Sequence, residues 1–222
     1  MRVAIAGAGA VGRSIAQELI INGHQVLLID KSPSAMKPDR LPEAEWLLAD
    51  ACELSSLEEA RVDQCDVMIA ATGDDKANLV TSLLAKTEFG VPRTVGRVNH
   101  PDNEWLFTEA WGVDVNVSTP RIMSALVEEA VSVGDLVRLF TFRQGNANLV
   151  EMTLPEDSPF VGKPCGLIPF PEDVALVTIL RDGQVYRPSG EQPIEAGDEL
   201  LFVSAPESEA ALEKLLAPNK VR

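Results

Sequence analysis

The sequence has few of the residues that build disulfide frameworks and zinc sites. It contains three cysteines and two histidines in 222 residues. Cys52, Cys65 and Cys165 are widely spaced and form no CxxC pair. Structural zinc needs a close set of such ligands, and small secreted folds need paired cysteines. The composition therefore argues against both and favours three ordinary thiols in a reducing cytoplasm.

Long apolar runs and positive charge are also scarce. The longest runs, such as 26–29 and 67–71, are strand-sized and far short of the roughly 18 residues of a membrane span. Gly7, Gly9 and Gly12 interrupt the apolar N-terminus, so we expect no signal peptide. Nineteen basic against thirty-four acidic residues give a net charge of −15. This charge argues against nucleic acid or a lipid surface as a direct partner.

The sequence does contain an alternation of strand and helix patterns. Residues 2–6 and 25–30 are apolar runs typical of buried strands, and apolar residues recur between them every three or four positions, as in a helix. Prolines exclude a long helix over 31–44. The same reasoning predicts strands over 45–50, 66–72, 94–99 and 113–117, and helices over 54–60, 75–89 and 101–111. Six alternating strands predict an α/β, Rossmann-like doubly wound parallel sheet.

The pattern changes near Gly134. A long helix over 120–133 ends the first part, and its apolar set is wider than one packed face requires: Ile122, Met123, Ala125, Leu126, Ala130 and Val131. Such a face either packs on its own sheet or docks a partner. Beyond it, the sequence predicts hairpins over 136–154, with a turn at 144–147, and over 174–187, then a strand over 199–204 and a helix over 206–216. We therefore predict two domains, 1–134 and a small α+β domain over 135–222.

A glycine motif gives the clearest functional signal. The residues from Gly7 to Gly12 match G-x-G-x-x-G, follow a predicted strand and open a predicted helix. In this pattern Gly7 turns the chain, Gly9 lets the backbone approach a phosphate, and Gly12 lets the helix pack closely. The free N–H groups of the helix start favour an anion. Asp30 ends the next strand, where its carboxylate would bind ribose hydroxyls and repel a 2′-phosphate. The motif thus predicts NAD or an adenosine nucleotide rather than NADP.

Residues after the other strands should reach the same crevice. The segment 50–52 follows the third strand, where an adenine edge would lie, and 72–73 follows the fourth, near the sugar and phosphates. Arg97 lies within the fifth strand, and a buried guanidinium there needs an anion. A ligand phosphate or a salt bridge to Asp74 or Asp75 would supply it.

No catalytic motif accompanies this predicted site. His24 and His100 lack the neighbours of a dehydrogenase acid–base pair, and there is no Ser-His-Asp or Cys-His order. A nucleotide without an evident catalytic group favours sensing over catalysis. The alternatives are an NAD-dependent oxidoreductase with a small substrate domain and a redox-sensing transcription factor. The second would need a helix-turn-helix and a basic face, and both halves of the chain are acidic.

The combined motifs resemble a known family. The glycine motif, Ile29-Asp30, IAATGDDKAN over 69–78, FGVPR over 89–93, RVN over 97–99 and GDELLFV over 197–203 are similar to the RCK (KTN) domains of TrkA-type potassium uptake regulatory proteins in their single-repeat form. This resemblance implies an RCK N-terminal nucleotide-binding domain over 1–134, with a crossover helix over 120–133, and an RCK C-terminal domain over 135–222. The ligand of the second domain stays open between a cyclic dinucleotide, a cation and none.

The resemblance also implies a function. It indicates a non-enzymatic gating subunit of a Trk/Ktr-type potassium uptake system, cytoplasmic and held at the inner face of the plasma membrane by a membrane-embedded transporter subunit. Homodimers would form a ring whose shape responds to NAD(H) or to ATP, ADP or AMP. Ala10, where some relatives have a basic or polar residue, favours NAD(H), with Arg13 or Lys31 as substitutes for that residue. No metal is implied. The predicted cofactor-binding residues are Gly7, Ala8, Gly9, Ala10, Val11, Gly12, Asp30, Lys31, Asp50, Ala51, Cys52, Thr72, Gly73 and Arg97.

Overall fold

The structure, a computed structural model, describes residues 1–131, 133–142 and 146–218, without the side chains of 128–130. The chain forms two compact units, Met1–Pro120 and Arg121–Arg222. The helix α4 (Thr119–Val131) spans the junction between them. The predicted division into 1–134 and 135–222 assigns this helix to the first domain, and that assignment stays a prediction.

The first unit contains one six-stranded parallel sheet, in the order β3-β2-β1-β4-β5-β6. Three helices connect its strands. This confirms the predicted doubly wound α/β fold. The chain first passes from β1 to β2 and β3 on one side, and then returns to form β4, β5 and β6 on the other side of β1. A crevice therefore opens between β1 and β4 at their carboxyl ends. The elements are β1 (Arg2–Ala6), α1 (Ala10–Ile21), β2 (Gln25–Asp30), β3 (Glu45–Leu48), α2 (Leu54–Glu59), β4 (Val67–Ala70), α3 (Asp75–Thr87), β5 (Arg93–Val98) and β6 (Val115–Ser118).

Strand β1 shows why its sequence does not alternate between apolar and polar residues. Val3 and Ile5 pack in a cluster on the α1 side of the sheet, and Ala4 and Ala6 pack in a second cluster that contains Leu57 of α2. All four are buried. A strand covered on both faces has no position for a polar side chain, as the apolar run predicts.

The predicted helix over 101–111 is wrong. The segment instead forms two 3₁₀ turns, Pro101–Leu106 and Glu109–Trp111. Phe107 lies between them with only 1% of its surface exposed, packed in a cluster with Val98 and Val113. The next residue, Thr108, is extended (φ −126°, ψ 173°). Insertion of Phe107 into the core interrupts the helical path. The prediction for 31–44 is confirmed, since that stretch contains only the 3₁₀ turn Pro38–Arg40 among its helical elements.

The second unit contains a five-stranded antiparallel sheet in the order β10-β9-β11-β8-β7, which confirms the predicted α+β architecture. Helix α5 covers it with Leu212 and Leu216, both fully buried. Residues 144 and 145 of the predicted turn lie outside the described part of the chain. The elements are β7 (Val137–Phe142), β8 (Ala147–Thr153), β9 (Val174–Arg181), β10 (Gln184–Tyr186), β11 (Glu199–Ser204) and α5 (Glu209–Leu216).

The apolar side chains of α4 are exposed. Met123 and Val127 have 61% and 60% of their surface accessible, and Ile122, Leu126 and Val131 are also exposed. The side chain of Ala130, part of the predicted set, lies outside the described residues. The described residues of the second unit therefore do not cover this face, which we call the α4 apolar face.

Candidate nucleotide-binding site

A cavity of about 590 Å³ opens at the carboxyl ends of the first unit's strands. This volume is within the range of small-molecule sites. Of the fourteen residues predicted to contact a nucleotide, all line the cavity except Ala8 and Gly12, which are buried. The structure therefore brings together residues from five separate segments, as the parallel topology predicts. Their roles toward a ligand stay predictions.

The three motif glycines have different surroundings. Gly7 has a φ of +106°, and a Cβ there would lie 2.9 Å from the backbone of Ala71. A Cβ on Gly12 would lie 1.8 Å from the carbonyl oxygen of Gly7, so this glycine lets α1 pack against the turn. Gly9 is exposed at the cavity, and a Cβ there would meet no protein atom within 4 Å. Gly9 therefore leaves open space beside the backbone, as a phosphate approach requires.

The start of α1 offers unpaired backbone donors to the cavity. The first helical bond runs from the N–H of Arg13 to the oxygen of Gly9, 3.1 Å away. The N–H groups of Ala10 and Val11 precede it, and no side chain among the described residues caps the helix. Arg13 itself donates to the oxygen of Ala8. The helix start thus fits an anion through its backbone, while Arg13 is already held by the protein.

Asp30 is held in place by backbone amides. One carboxylate oxygen accepts from the N–H of Ala8 and the other from the N–H of Ser32, each at 2.8 Å. A carboxylate oxygen has room for more than one hydrogen bond. The two amides therefore fix the side chain at the cavity wall and leave acceptor capacity for ribose hydroxyls.

Lys31 and Asp50 form an ion pair at the cavity rim. Their Nζ and Oδ2 atoms are 3.2 Å apart, and the lysine side chain is 71% exposed. The N–H of Cys52, and then Lys31, lower the pKa of Asp50. Burial raises the pKa of the Cys52 thiol, whose sulfur lies 3.9 Å from the hydroxyl of Thr81. Cys52 is therefore a neutral wall residue, and Lys31 is neutralised locally.

Arg97 does not form the salt bridge that was one alternative. Its Nε donates to the hydroxyl of Thr119 at 3.3 Å, and no carboxylate within the described ranges pairs with its guanidinium. Asp75 is bonded to other groups, and Asp74 caps α3 by accepting from the N–H of Lys76. Arg97 lines the cavity with its positive charge unpaired by those two residues.

Sequence reasoning missed Asn78, which is fully buried. Its oxygen accepts from the N–H of Thr72 at 2.9 Å, and its amide donates to the carbonyl oxygens of Thr72 and Arg97 at 3.2 and 2.8 Å. It therefore joins the two strand ends that line the cavity. No sequence pattern distinguishes Asn78, because it is one of several polar residues that α3 buries.

Neither a metal-binding cluster nor a membrane-spanning helix occurs in the described part of the chain. No group of three or more His, Cys, Asp and Glu residues there could hold a metal ion. No helix in the same part is long and apolar enough to cross a membrane.

Comparisons with known proteins identify the family. The TrkA-N domain profile matches residues 3–119, and the TrkA-C domain profile matches residues 149–217. The chain is 58% identical to the Trk system potassium uptake protein TrkA of Mycobacterium tuberculosis (strain ATCC 25618 / H37Rv), over 99% of this chain and 100% of that protein. It belongs to the TrkA family. A TrkA homolog of Archaeoglobus fulgidus is 28% identical over 100% of this chain, which spans 51% of that protein.

Solved structures share the fold of this TrkA-family chain. A GsuK channel bound to NAD matches with a TM-score of 0.71 and 18% identity, covering 97% of this chain and 39% of that one. The GsuK structure bound to ADP matches with a TM-score of 0.50 and 26% identity, covering 58% of this chain and 34% of that one. The predicted RCK-type fold is thus confirmed.

Proposed function

We propose that this chain is a nucleotide-sensing regulatory subunit that gates a Trk-type potassium transporter. The observation that carries the proposal is the cavity itself, which is lined by the open space at Gly9, the free amides of α1 and the fixed carboxylate of Asp30. Family membership supplies the potassium system, because the relative from M. tuberculosis is named for potassium uptake.

The ligand is an adenosine nucleotide, with NAD(H) favoured over ATP, ADP or AMP. Asp30 suits a free ribose and opposes a 2′-phosphate, while the helix start suits a pyrophosphate. Arg13 and Lys31 are the cations that could compensate for Ala10, but each already has a protein partner. This supports NAD(H) over ATP, because NAD(H) needs no contact to a third phosphate. Structural neighbours bound to NAD and to ADP agree with this ligand class.

The nucleotide acts as a signal and not as a substrate. A ligand shifts a two-state assembly only to the extent that it binds one state more tightly. NAD and NADH, or ATP and ADP, would therefore drive opposite outcomes through one site. In this proposal the chain forms homodimers and a ring, with the α4 apolar face as a contact between copies. The ring works in the cytoplasm, at the membrane face of an integral transporter subunit.

Calorimetric titration with NAD, NADH, ATP and ADP tests the ligand. We expect binding by the wild-type chain and a loss of at least about tenfold in affinity, or 1.4 kcal/mol, for Asp30→Ala. Asp39→Ala removes the same charge from an exposed 3₁₀ turn outside the cavity and serves as the matched control. Equal affinity for all four nucleotides, with no change in the size or shape of the assembly, would contradict the switching mechanism.

A second experiment tests the partner. Membranes that contain the integral Trk subunit of the same organism should retain the wild-type chain, and potassium flux should respond to the bound nucleotide. Asp30→Ala should lose the response to nucleotide. Oxidation of NADH with a small substrate, followed by absorbance, would instead support the oxidoreductase alternative.

A further inference from the structure

A polar cluster lies beside the cavity, centred on the buried carboxylate of Asp75, which is only 8% exposed. It accepts the N–H groups of Asn99 and His100 at 2.7 and 3.0 Å and the side-chain amides of Asn99 and Asn103 at 2.9 and 2.8 Å. Burial raises the pKa of Asp75, but these donors outweigh it and hold the pKa below its usual value. Four donors to one carboxylate tie the start of α3 to the loop after β5.

The same cluster reaches the cavity wall through Thr72. The side-chain amide of Asn99 also donates to the carbonyl oxygen of Thr72, 3.0 Å away. Thr72 lines the cavity, and Asn78 connects it to the backbone of Arg97, which lines it too. A ligand that displaces Thr72 therefore acts on a group bonded directly to the cluster, whereas Arg97 is linked to Thr72 through Asn78.

The other end of the cluster holds the 3₁₀ segment Pro101–Leu106. Such segments have few hydrogen bonds of poor geometry and depend on outside contacts. His100 precedes this segment, and Asn103 lies within it, so Asp75 binds it at two points. Trp105 follows two residues later with 74% of its surface exposed.

We propose that Asp75 is a positioning residue that couples the nucleotide cavity to the segment Pro101–Leu106, so that ligand binding changes the surroundings of Trp105. The inference rests on the proposed function, because it needs a nucleotide in the cavity. The inference goes beyond the proposed function because it names the segment whose conformation responds to the ligand. Coupling of this kind is a difference in ligand affinity between two arrangements of the segment. The hydrogen bonds give the physical connection, and coupling must be measured.

Fluorine NMR of the full-length chain labelled with 5-fluorotryptophan tests the coupling. The sequence has three tryptophans, and Trp105→Phe assigns the signal of interest. We expect saturation with NAD to shift the Trp105 signal in the wild-type chain. Asn103→Ala removes one of the four donors and the side-chain link to the segment. It should reduce that shift by at least half while the Kd for NAD stays within about threefold.

Lys86→Met is the matched control for a loss of stability alone. Lys86 pairs with Asp114 at 2.8 Å, near the amino ends of β5 and β6 and away from the cavity. It should leave the Trp105 shift unchanged. Asp75→Asn, if it folds, should abolish the shift.

The outcomes separate the two proposals. A Trp105 signal that does not move when NAD binds, or that moves equally in Asn103→Ala and wild type, overturns the coupling and leaves the nucleotide site intact. Loss of the shift in Lys86→Met as well as in Asn103→Ala assigns the effect to stability and also overturns it. Absence of calorimetric binding of any of the four nucleotides refutes the proposed function itself, and the coupling with it.

Discussion

Two glycines of the motif, three positions apart, should respond in opposite ways to replacement by alanine. A methyl group on Gly12 would lie 1.8 Å from the carbonyl oxygen of Gly7 and 2.9 Å from its carbonyl carbon. Both neighbours are backbone atoms, so α1 must move away from the turn by more than 1 Å to reach about 3.4 Å. Overpacking that cannot be relieved by a flexible side chain falls at the upper end of the usual range, so we expect Gly12→Ala to cost at least about 3 kcal/mol of unfolding free energy.

The methyl group of Gly9→Ala should not disturb the folded chain. It meets no atom within 4 Å, and the backbone of Gly9 (φ −66°, ψ −170°) is extended and open to alanine. Replacing glycine at such a position restricts the unfolded chain, which stabilises the protein by about 0.4–1 kcal/mol, but Gly9 is the N-cap of α1, where alanine is disfavoured by a similar amount. The same methyl group occupies the space through which a phosphate would approach the backbone. We therefore expect a nucleotide affinity at least about tenfold weaker in a chain of nearly unchanged stability.

Thermal unfolding followed by circular dichroism and calorimetric titration with NAD measure the two effects separately. Gly12→Ala should lower the Tm of the first unit by roughly 10 °C, whereas Gly9→Ala should leave it close to the wild-type value. Wild-type affinity in Gly9→Ala would refute the phosphate approach at this glycine. An unchanged Tm in Gly12→Ala would refute the close packing of α1 on the turn.

Three other predictions concern the second unit, acid stability and assembly. Arg181→Met should destabilise the second unit by about 3–5 kcal/mol in denaturant unfolding. The carboxylate of Asp198 is fully buried, and it would lose the two arginine nitrogens that pair with it at 2.6 and 2.8 Å. A destabilisation no larger than that of Arg187→Met would contradict this prediction. Asp75 and Asp114 both have pKa values held below 3.8 in the folded chain, because hydrogen bonds outweigh the burial that would raise them. The stability that these carboxylates contribute is therefore complete above about pH 4. It is lost as the pH falls through their lower pKa in the folded state. Acid unfolding of Asp114→Asn should therefore be less steep than that of wild type, and identical slopes would be evidence against the hydrogen-bonded carboxylate. Leu126→Asp places a charge on the α4 apolar face, where Leu126 is 55% exposed. It should reduce self-association in analytical ultracentrifugation without lowering the Tm. An unchanged association state would exclude this face as the contact between copies.

The sequence was sufficient for those features that depend on local pattern. The glycine motif, the apolar run of β1 and the Asp at the end of β2 each have one local explanation, and the parallel sheet follows from alternating strands and helices. The proline-rich stretch over 31–44 lacks a long helix for an equally local reason.

Features set by distant contacts could not be predicted. The segment over 101–111 has helical periodicity, but it follows a different path because Phe107 is buried and Asp75 holds its start. Asp75 was one expected salt-bridge partner of Arg97, but its carboxylate accepts hydrogen bonds from other donors. Those donors are 24 to 28 residues away along the chain. Asn78 could be identified only from its bonds across two strand ends. Hydrogen bonds between side chains and distant backbone leave no periodic signal.

The cavity has to attract an anionic ligand in an acidic chain. The net charge is −15, and the lining itself contains three carboxylates, Asp30, Asp50 and Asp74, against the cations Lys31 and Arg97. Asp50 neutralises Lys31, whereas no described carboxylate pairs with Arg97. The remaining attraction comes from the amides at the start of α1, which carry no formal charge. We therefore predict that, among the side chains that line the cavity, electrostatic attraction for a phosphate depends chiefly on Arg97.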